Sequence, residues 1–142
     1  MFILDTNVVS ELMKPIVASS VETWCASQPR DSLYITTITQ AEILYGIAIL
    51  PAGNRQKRLL SLAQAMFRED FATRILPFEQ KSAEHYATIT AHRRRQGNPI
   101  SQFDAQIAAI CRTHRYALAT RNVDDFANCQ IEILNPWERG LG

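Results

Sequence analysis

The sequence predicts an α/β domain in which a parallel sheet of short strands is flanked by helices. Short apolar runs alternate with longer helical segments, a pattern typical of parallel sheets whose crossovers carry helices. The 142 residues suit one compact domain over 1–142 and leave little room for a second. A content of 46% apolar and 20% charged residues fits an ordinary folded core.

The first part of the chain predicts two strands with helices between them. Residues 2–4 form an apolar run that indicates a buried strand. Thr6 and Asn7 follow directly and offer N-cap side chains for a first helix. A second helix precedes residues 33–36, whose aromatic and β-branched side chains favour a second strand.

The middle of the chain predicts two longer helices. Residues 38–49 form a strongly helical stretch with Thr39 near its start. Residues 55–71 carry apolar side chains at helical spacing and predict the next helix. Residues 74–77 then indicate a short third strand, so the alternation continues.

The last part repeats the same order of elements. A helix is predicted over 82–95, and a second one begins at Ser101 and ends near His114. Residues 116–120 and 131–134 predict the fourth and fifth strands.

Several classes of protein are not expected. No apolar run approaches the roughly 20 residues that a membrane helix needs. Asp5 interrupts the N-terminal apolar run before a secretory leader is built, so we expect a cytoplasmic protein without membrane contact. The three Cys and three His show neither CxxC nor HExxH spacing, which argues against zinc.

Asp5 is the first acid in a position that suggests chemistry. It directly follows the strand predicted at 2–4. The carboxyl ends of strands in an open α/β sheet face the ligand crevice, so an acid there meets a ligand or a metal. The alternative is a structural Asp that caps the following helix.

Glu42 is the second such acid. Its helical neighbours at minus four, plus three and plus seven are Ile38, Tyr45 and Ile49. These residues define an apolar stripe, which predicts that Glu42 points with the core face. A buried carboxylate is usually neutralised, paired or bound to metal. The alternative is a Glu at the edge of the stripe whose carboxylate reaches solvent.

Asp104 repeats this pattern in the helix that begins at Ser101. Ile100, Ile107 and Cys111 lie at minus four, plus three and plus seven. The alternative is an acid in the first helical turn, where the helix dipole favours it.

Three carboxylates on apolar faces of separate elements would repel one another in a small core. Convergence on a shared cation is the simplest arrangement that removes this repulsion. Oxygen ligands without His or Cys favour Mg²⁺ or Mn²⁺. Such an ion would orient and deprotonate a water for phosphodiester hydrolysis.

A further polar cluster follows the predicted fourth strand. Asn122 is positioned to hold a water or phosphate, Asp125 to supply another carboxylate, and Arg121 to contact substrate. The alternative is a turn with a short capped helix.

Charge is unevenly distributed although the chain is nearly neutral, with 15 basic and 14 acidic residues. Residues 85–121 carry six arginines and one acid, Asp104. The run 93–95 has two interpretations, phosphate contact beside Asp104 or a solvated helix end. Local rather than global attraction for nucleic acid is therefore expected.

The segments that carry these residues resemble one known family. They are FILDTNVVSEL (2–12), ITQAEILYGI (38–47), ISQFDAQIAA (100–109), LATRNVDDF (118–126) and LNPW (134–137). In this order and spacing they resemble a PIN-domain ribonuclease, and especially the VapC/FitB-like toxins of bacterial type II toxin–antitoxin modules. The resemblance spans nearly the whole chain and implies a PIN-like three-layer domain with a parallel, short-stranded sheet.

The resemblance implies an endoribonuclease that uses Mg²⁺, with Mn²⁺ as a substitute. Asp5, Glu42 and Asp104 match the three family acids. Asp5 and Asp104 are implied direct metal ligands, and Glu42 binds through water or acts on the attacking water. The fourth position, often Asp in the family, is Asn122 here, with Asp125 as the nearest replacement. Whether one or two ions bind stays open.

The resemblance also implies partners. It predicts a homodimer, an RNA substrate and a cognate VapB/FitA-like antitoxin whose C-terminal segment enters a groove of the toxin. Operator DNA would be contacted only through the antitoxin.

Two other functions compete with this one. Asn122 in place of an acid favours a non-catalytic PIN module that only binds antitoxin or RNA. The LDT sequence after the first strand is also superficially similar to haloacid dehalogenase phosphatases. Their chemistry needs a second Asp two residues after the first, and Asn7 occupies that position.

Overall fold

A five-stranded parallel sheet forms the centre of the computed structural model, which describes residues 1–141 and the side chains of residues 1–138. The strands are β1 (Phe2–Leu4), β2 (Leu33–Thr36), β3 (Ile75–Leu76), β4 (Ala117–Ala119) and β5 (Ile133–Leu134). Their order is β3-β2-β1-β4-β5, and every neighbouring pair is parallel. Phe2 aligns with Leu33 on one side and with Ala117 on the other, so β1 is the central strand.

Within residues 1–141, six α-helices connect and cover the strands. They are α1 (Thr6–Leu12), α2 (Ser19–Ser27), α3 (Thr37–Ala48), α4 (Asn54–Ala65), α5 (Gln80–Arg95) and α6 (Gln102–His114). Short 3-10 turns span Arg30–Ser32, Val123–Phe126 and Pro136–Leu141, and a π turn, Met66–Asp70, follows α4. The single helix predicted over 55–71 therefore ends earlier than expected, at the π turn.

The sheet separates two hydrophobic clusters, which makes the fold three-layered as predicted. Strand side chains alternate between faces. On β1, Leu4 packs into the cluster with α1 to α4, and Ile3 packs into the cluster with α5 and α6. Ala119 and Leu118 of β4 divide in the same way. All four side chains have no exposed surface, so the central strands are buried on both faces.

Residues at the ends of the strands begin the helices. The Asp5 side chain caps α1, as the structural alternative for Asp5 predicted, so the predicted caps at Thr6 and Asn7 are wrong. Thr36 caps α3, which begins at Thr37, two residues before the predicted start at Thr39. The cap moves because Asp5, directly after β1, and Thr36, at the end of β2, have the extended backbone that an N-cap requires. Ser101 caps α6, as its predicted helix start implies. Polar side chains are thus concentrated at the carboxyl edge of the sheet.

Among residues 1–141, no helix combines the length and the apolar character needed to cross a membrane.

Candidate active site

The candidate site lies at the carboxyl ends of the two central strands. From β1 the sheet extends to β2 on one side and to β4 on the other, and such a switch point opens a crevice. Asp5 follows β1 and Thr120 follows β4. The Asp5 backbone N–H donates to the Ala119 carbonyl at 2.9 Å, which fixes the two strand ends side by side.

Asp5 is the most buried acid of the site, with 4% of its surface exposed. Its Oδ1 accepts a hydrogen bond from the Thr6 backbone N–H at 2.8 Å, and its Oδ2 accepts one from the Thr120 hydroxyl at 2.8 Å. Burial raises the pKa of Asp5 to about 6, against the lowering effect of these hydrogen bonds. The charges of Asp104 and Glu42 raise it further.

Glu42 reaches the site from α3. Its Oε1 accepts a hydrogen bond from the Thr6 hydroxyl at 2.8 Å, and that hydroxyl is also 3.0 Å from the Thr39 hydroxyl. Burial raises the pKa of Glu42, the Thr6 hydrogen bond opposes this, and the charge of Asp104 raises it. Because Thr6 directly follows Asp5 in the chain, its hydrogen bond holds the Glu42 carboxylate on the Asp5 side of the crevice.

The sequence argument for Glu42 used the wrong face of α3. Tyr45 and Ile49, which defined its apolar stripe, are 67% and 64% exposed. The core face of α3 instead carries Ile43 and Ile47. Glu42 is half-buried because it faces the crevice beside the core. The alternative of a Glu at the edge of the stripe describes its position better.

Asp104 enters from the first turn of α6. Burial raises its pKa, and the Ser101 hydroxyl lowers it. Two further charges act on it: Asp125 raises the pKa and Arg93 lowers it. The first turn of α6 and the 3-10 turn Val123–Phe126 therefore lie on the same side of the crevice.

Asn122 and Asp125, the two candidates for the fourth family position, both lie at the rim of the crevice. The Asn122 backbone N–H donates to the Thr120 hydroxyl at 3.1 Å, so one residue separates it from Asp5 in the hydrogen-bond network. Both Asn122 and Asp125 have exposed side chains. Asp125 is the one whose charge acts on Asp104. Asn122 stays a predicted site residue.

Arg121 lies at the rim between the site and the C-terminal turn. Its backbone N–H donates to Asn7 Oδ1 at 3.3 Å, and its guanidinium stacks 5.0 Å from the centre of the Trp137 ring. Trp137 itself packs against the first hydrophobic cluster. Arg121 is exposed, and its contact with substrate stays a prediction.

Arg93 differs from the two arginines that follow it. Only 2% of its surface is exposed, so neither phosphate contact nor a solvated helix end describes it. Its Nε donates to the Asn98 carbonyl at 2.7 Å, and its Nη1 donates to the carbonyls of Asp125 and Ala127 at 2.8 and 3.0 Å. Arg93 thereby fastens the turn that carries Asp125. Its position four residues after the buried Ile89 was the available signal.

Thr6, Asn7 and Thr120 are site residues that the sequence argument missed. Asn7 Nδ2 is 3.5 Å from Asp5 Oδ2 and 3.2 Å from the Thr120 hydroxyl. Together they hold Asp5 with neutral donors. Their shared signal is a hydroxyl or amide within three residues of the end of a strand, close to the position that identified Asp5.

The donor set fits a hydrated divalent cation. Asp5 is buried beside like charges, and its hydrogen-bond partners are neutral, an arrangement that a cation stabilises. Within residues 1–138, no three Asp, Glu, His or Cys side chains are grouped closely enough for a preformed cage. Mg²⁺ typically binds through one or two carboxylates and keeps several waters. Asp5 and Asp104 therefore match its requirements.

A cleft of about 1010 Å³ adjoins Glu42. It is formed by α1, α3 and α4, and its lining includes Thr6 and Glu42. Ile43, Ile47 and Leu62 add apolar surface, so the cleft joins the acidic site to an apolar groove.

Comparisons with known proteins agree with this geometry. The family model described as PIN domain matches residues 2–130. VapC ribonuclease Y4jK of Sinorhizobium fredii is 36% identical, over 97% of this chain and 99% of the relative. Toxin FitB of Neisseria gonorrhoeae is 34% identical, over 96% and 99%.

A solved structure of FitAB bound to an IR36 DNA fragment has the same fold. It superposes with a TM-score of 0.90 at 34% identity and covers 96% of both chains. The family match spans most of this sequence, and the relatives match it over nearly their whole length. The chain therefore belongs to the PIN domain family.

Proposed function

We propose that this protein is a Mg²⁺-dependent endoribonuclease toxin of a type II toxin–antitoxin system, with Mn²⁺ as a substitute ion. The observation that carries the proposal is that Asp5, Glu42 and Asp104 come from three separate elements, yet the charges of Asp104 and Glu42 raise the pKa of Asp5 and the charge of Asp104 raises that of Glu42. The names of the relatives, VapC ribonuclease and Toxin FitB, support the same activity and role.

Asp5 and Asp104 are the proposed ligands of the ion. When bound, Mg²⁺ would activate a water and offset negative charge on the phosphodiester. Thr120 and the Thr6 N–H orient the two oxygens of Asp5, which leaves each oxygen with a further lone pair. Ser101 fixes the backbone at Asp104 through a hydrogen bond of 3.2 Å.

Glu42 is the proposed acceptor of the proton from the attacking water. Its Oε1 is held by the Thr6 hydroxyl, so Oε2 is the oxygen available for this step. The raised pKa of Glu42, caused first by burial, brings its basicity closer to neutral pH, as a general base requires. Asn122 would position water or phosphate, and Arg121 would contact the RNA backbone.

The proposed partners are an RNA substrate and a VapB/FitA-like antitoxin that contacts operator DNA. The cleft beside Glu42 is suited to an inserted antitoxin segment because its apolar lining leads to Glu42 and Thr6. Tyr45 and Ile49 expose apolar surface on α3, which favours a protein contact. We also propose a homodimer.

RNA cleavage by purified variants tests the activity. Asp5→Asn and Asp104→Asn should each reduce cleavage at least about 100-fold, because both remove a ligand charge. Asp124→Asn is the matched control, since Asp124 is an exposed acid on the neighbouring 3-10 turn. It should cleave like the unchanged protein, and EDTA should stop cleavage in both.

If both ligand variants still cleave RNA, and do so in the presence of EDTA, the proposal is refuted. RNA or antitoxin binding without metal-dependent cleavage by the unchanged protein would favour the non-catalytic module instead.

A further inference from the structure

The arginine-rich stretch is divided by the structure into a buried and an accessible part. Arg93 is buried and serves the turn beside Asp104. Arg95 lies on α5 and Arg112 on α6, and both line a cavity of about 420 Å³ on the α5–α6 side of the sheet. His92 lies on the same lining, so three basic side chains share one concave surface.

The basic side chains of this cavity have no acidic partner. Among the side chains that the structure describes, ion pairs join Lys14 to Glu11 and Lys81 to Glu84. Glu132 lines an adjacent cavity together with Arg112 but makes no ion pair with it. Two guanidinium groups that face one concavity without a carboxylate create a local positive potential and attract an anion.

The wall opposite the helices has an unusual backbone. Asn128 and Gln130 have φ angles of 61° and 58°, in the left-handed region that L residues rarely adopt. Between them lies buried Cys129, whose Sγ is 3.6 Å from Arg93 Nη1. Arg93 therefore contacts this strained segment through Cys129. The exposed side-chain amides of Asn128 and Gln130 supply neutral hydrogen-bonding groups to the cavity.

The cavity is linked to the acidic site through shared elements. Asp104 and Arg112 are eight residues apart on α6, which corresponds to about 12 Å along the helix axis. Arg93 also contacts both regions, through Asp125 on one side and Cys129 on the other. A single extended nucleic-acid strand can therefore span the acidic site and the cavity together.

We infer that His92, Arg95 and Arg112 form a binding site for backbone phosphates of the RNA, separate from the acidic pocket. The inference rests on the proposed function. RNA is favoured as occupant because the positive cavity complements phosphate and shares α6 with the cleavage site. The site increases affinity without reading sequence, since phosphate contacts carry no base information.

RNA binding by charge-reversal variants tests this site. The probe is a fluorescein-labelled, random-sequence single-stranded RNA long enough to extend well beyond the cleavage site. Measurements use the Asp5→Asn background in MgCl₂, so that the probe survives. The double variant Arg95→Glu/Arg112→Glu should bind about 10-fold more weakly, and its salt dependence should fall by about one to two phosphate contacts.

The matched control is Lys57→Glu/Arg68→Glu, which makes the same charge change at exposed positions away from this cavity. It should bind within about twofold of the parent because long-range charge effects are screened at physiological salt. Arg95→Gln/Arg112→Gln removes the charge without reversal and should bind more weakly than the parent even if the Glu variant misfolds. Circular dichroism checks folding of each.

Cleavage separates this inference from the proposed function. With Asp5 intact, the Arg95→Glu/Arg112→Glu variant should lose about 10-fold in kcat/KM on the long RNA and cleave a substrate of a few nucleotides normally. The phosphate site would be overturned if the two charge-reversal pairs weakened RNA binding equally. It would also be overturned if Arg95→Glu/Arg112→Glu left RNA binding unchanged but abolished binding of an acidic protein. Absent cleavage by the unchanged protein would instead contradict the proposed function.

Discussion

Asp5 and Arg93 are both almost completely buried, with 4% and 2% of their surfaces exposed, but their charges are compensated differently. Arg93 donates to three backbone carbonyls, so its positive charge is satisfied by fixed dipoles. Asp5 accepts neutral hydrogen bonds and also lies near the negative charges of Asp104 and Glu42. The Arg93 charge therefore stabilises the fold, whereas the fold holds the Asp5 charge in place for a ligand.

Removing the Arg93 charge should have the largest effect on stability. Arg93→Met leaves the carbonyls of Asn98, Asp125 and Ala127 without their donor and should lower the free energy of unfolding by about 3 kcal/mol. Urea unfolding measures this change. Arg94→Met is the control, since the neighbouring Arg94 is exposed and should change stability by less than about 0.5 kcal/mol. Equal stabilities of the two variants would show that the carbonyl contacts are dispensable.

Removing the Asp5 charge should have the opposite effect and increase the free energy of unfolding. The pKa of Asp5 is about 6 in the fold against an ordinary value of 3.8, so its ionisation destabilises the folded state as pH rises through this interval. In metal-free buffer at pH 8, Asp5→Asn should raise the free energy of unfolding by about 1–2 kcal/mol, less than the full shift because the Asp5 hydrogen bonds change.

The pH dependence provides the check on this sign. The advantage of Asp5→Asn should disappear below about pH 4, where Asp5 is protonated in both states. A variant that is less stable than the unchanged protein at pH 8 would contradict a repulsive acidic pocket.

The Thr120 hydroxyl should have a smaller effect on stability and a clear effect on the site. Thr120→Val removes the donor to Asp5 Oδ2 and should cost about 1 kcal/mol. Cleavage should fall about 10- to 100-fold, as for other groups that orient metal ligands. Thr90→Val is the control, because the buried Thr90 hydroxyl has no hydrogen-bond partner among the described residues. Its removal should be neutral or stabilising, and identical cleavage by the two variants would exclude a role for Thr120.

Much of the fold could be predicted because the strands are short apolar runs, and all except β3 end at a polar residue or are followed by one. The same rule placed Asp5 at the carboxyl edge of the sheet, where the structure has it. Element boundaries were less accurate where a cap or a π turn decides them, as at Thr36 and Met66–Asp70.

The hydrogen-bond network of the site could not be predicted from local patterns. Asp5 and Thr120 are 115 residues apart in the chain and meet only because β1 and β4 are neighbours in the sheet. Arg93 was misjudged because it lies in a run of arginines, whereas tertiary contacts bury it alone. Glu42 was placed in the site by a stripe in which Tyr45 and Ile49 proved to be exposed.

Thermal unfolding in the presence and absence of MgCl₂ tests the central claim, that the Asp5 site is built to hold a cation. Binding to the folded state alone raises Tm in proportion to the logarithm of ion concentration above Kd. Mg²⁺ and Asp5→Asn relieve the same repulsion, so their effects should not add. The unchanged protein and the Asp124→Asn control should gain several degrees in Tm with MgCl₂, and Asp5→Asn should gain almost none. An equal gain in all three proteins would contradict the claim.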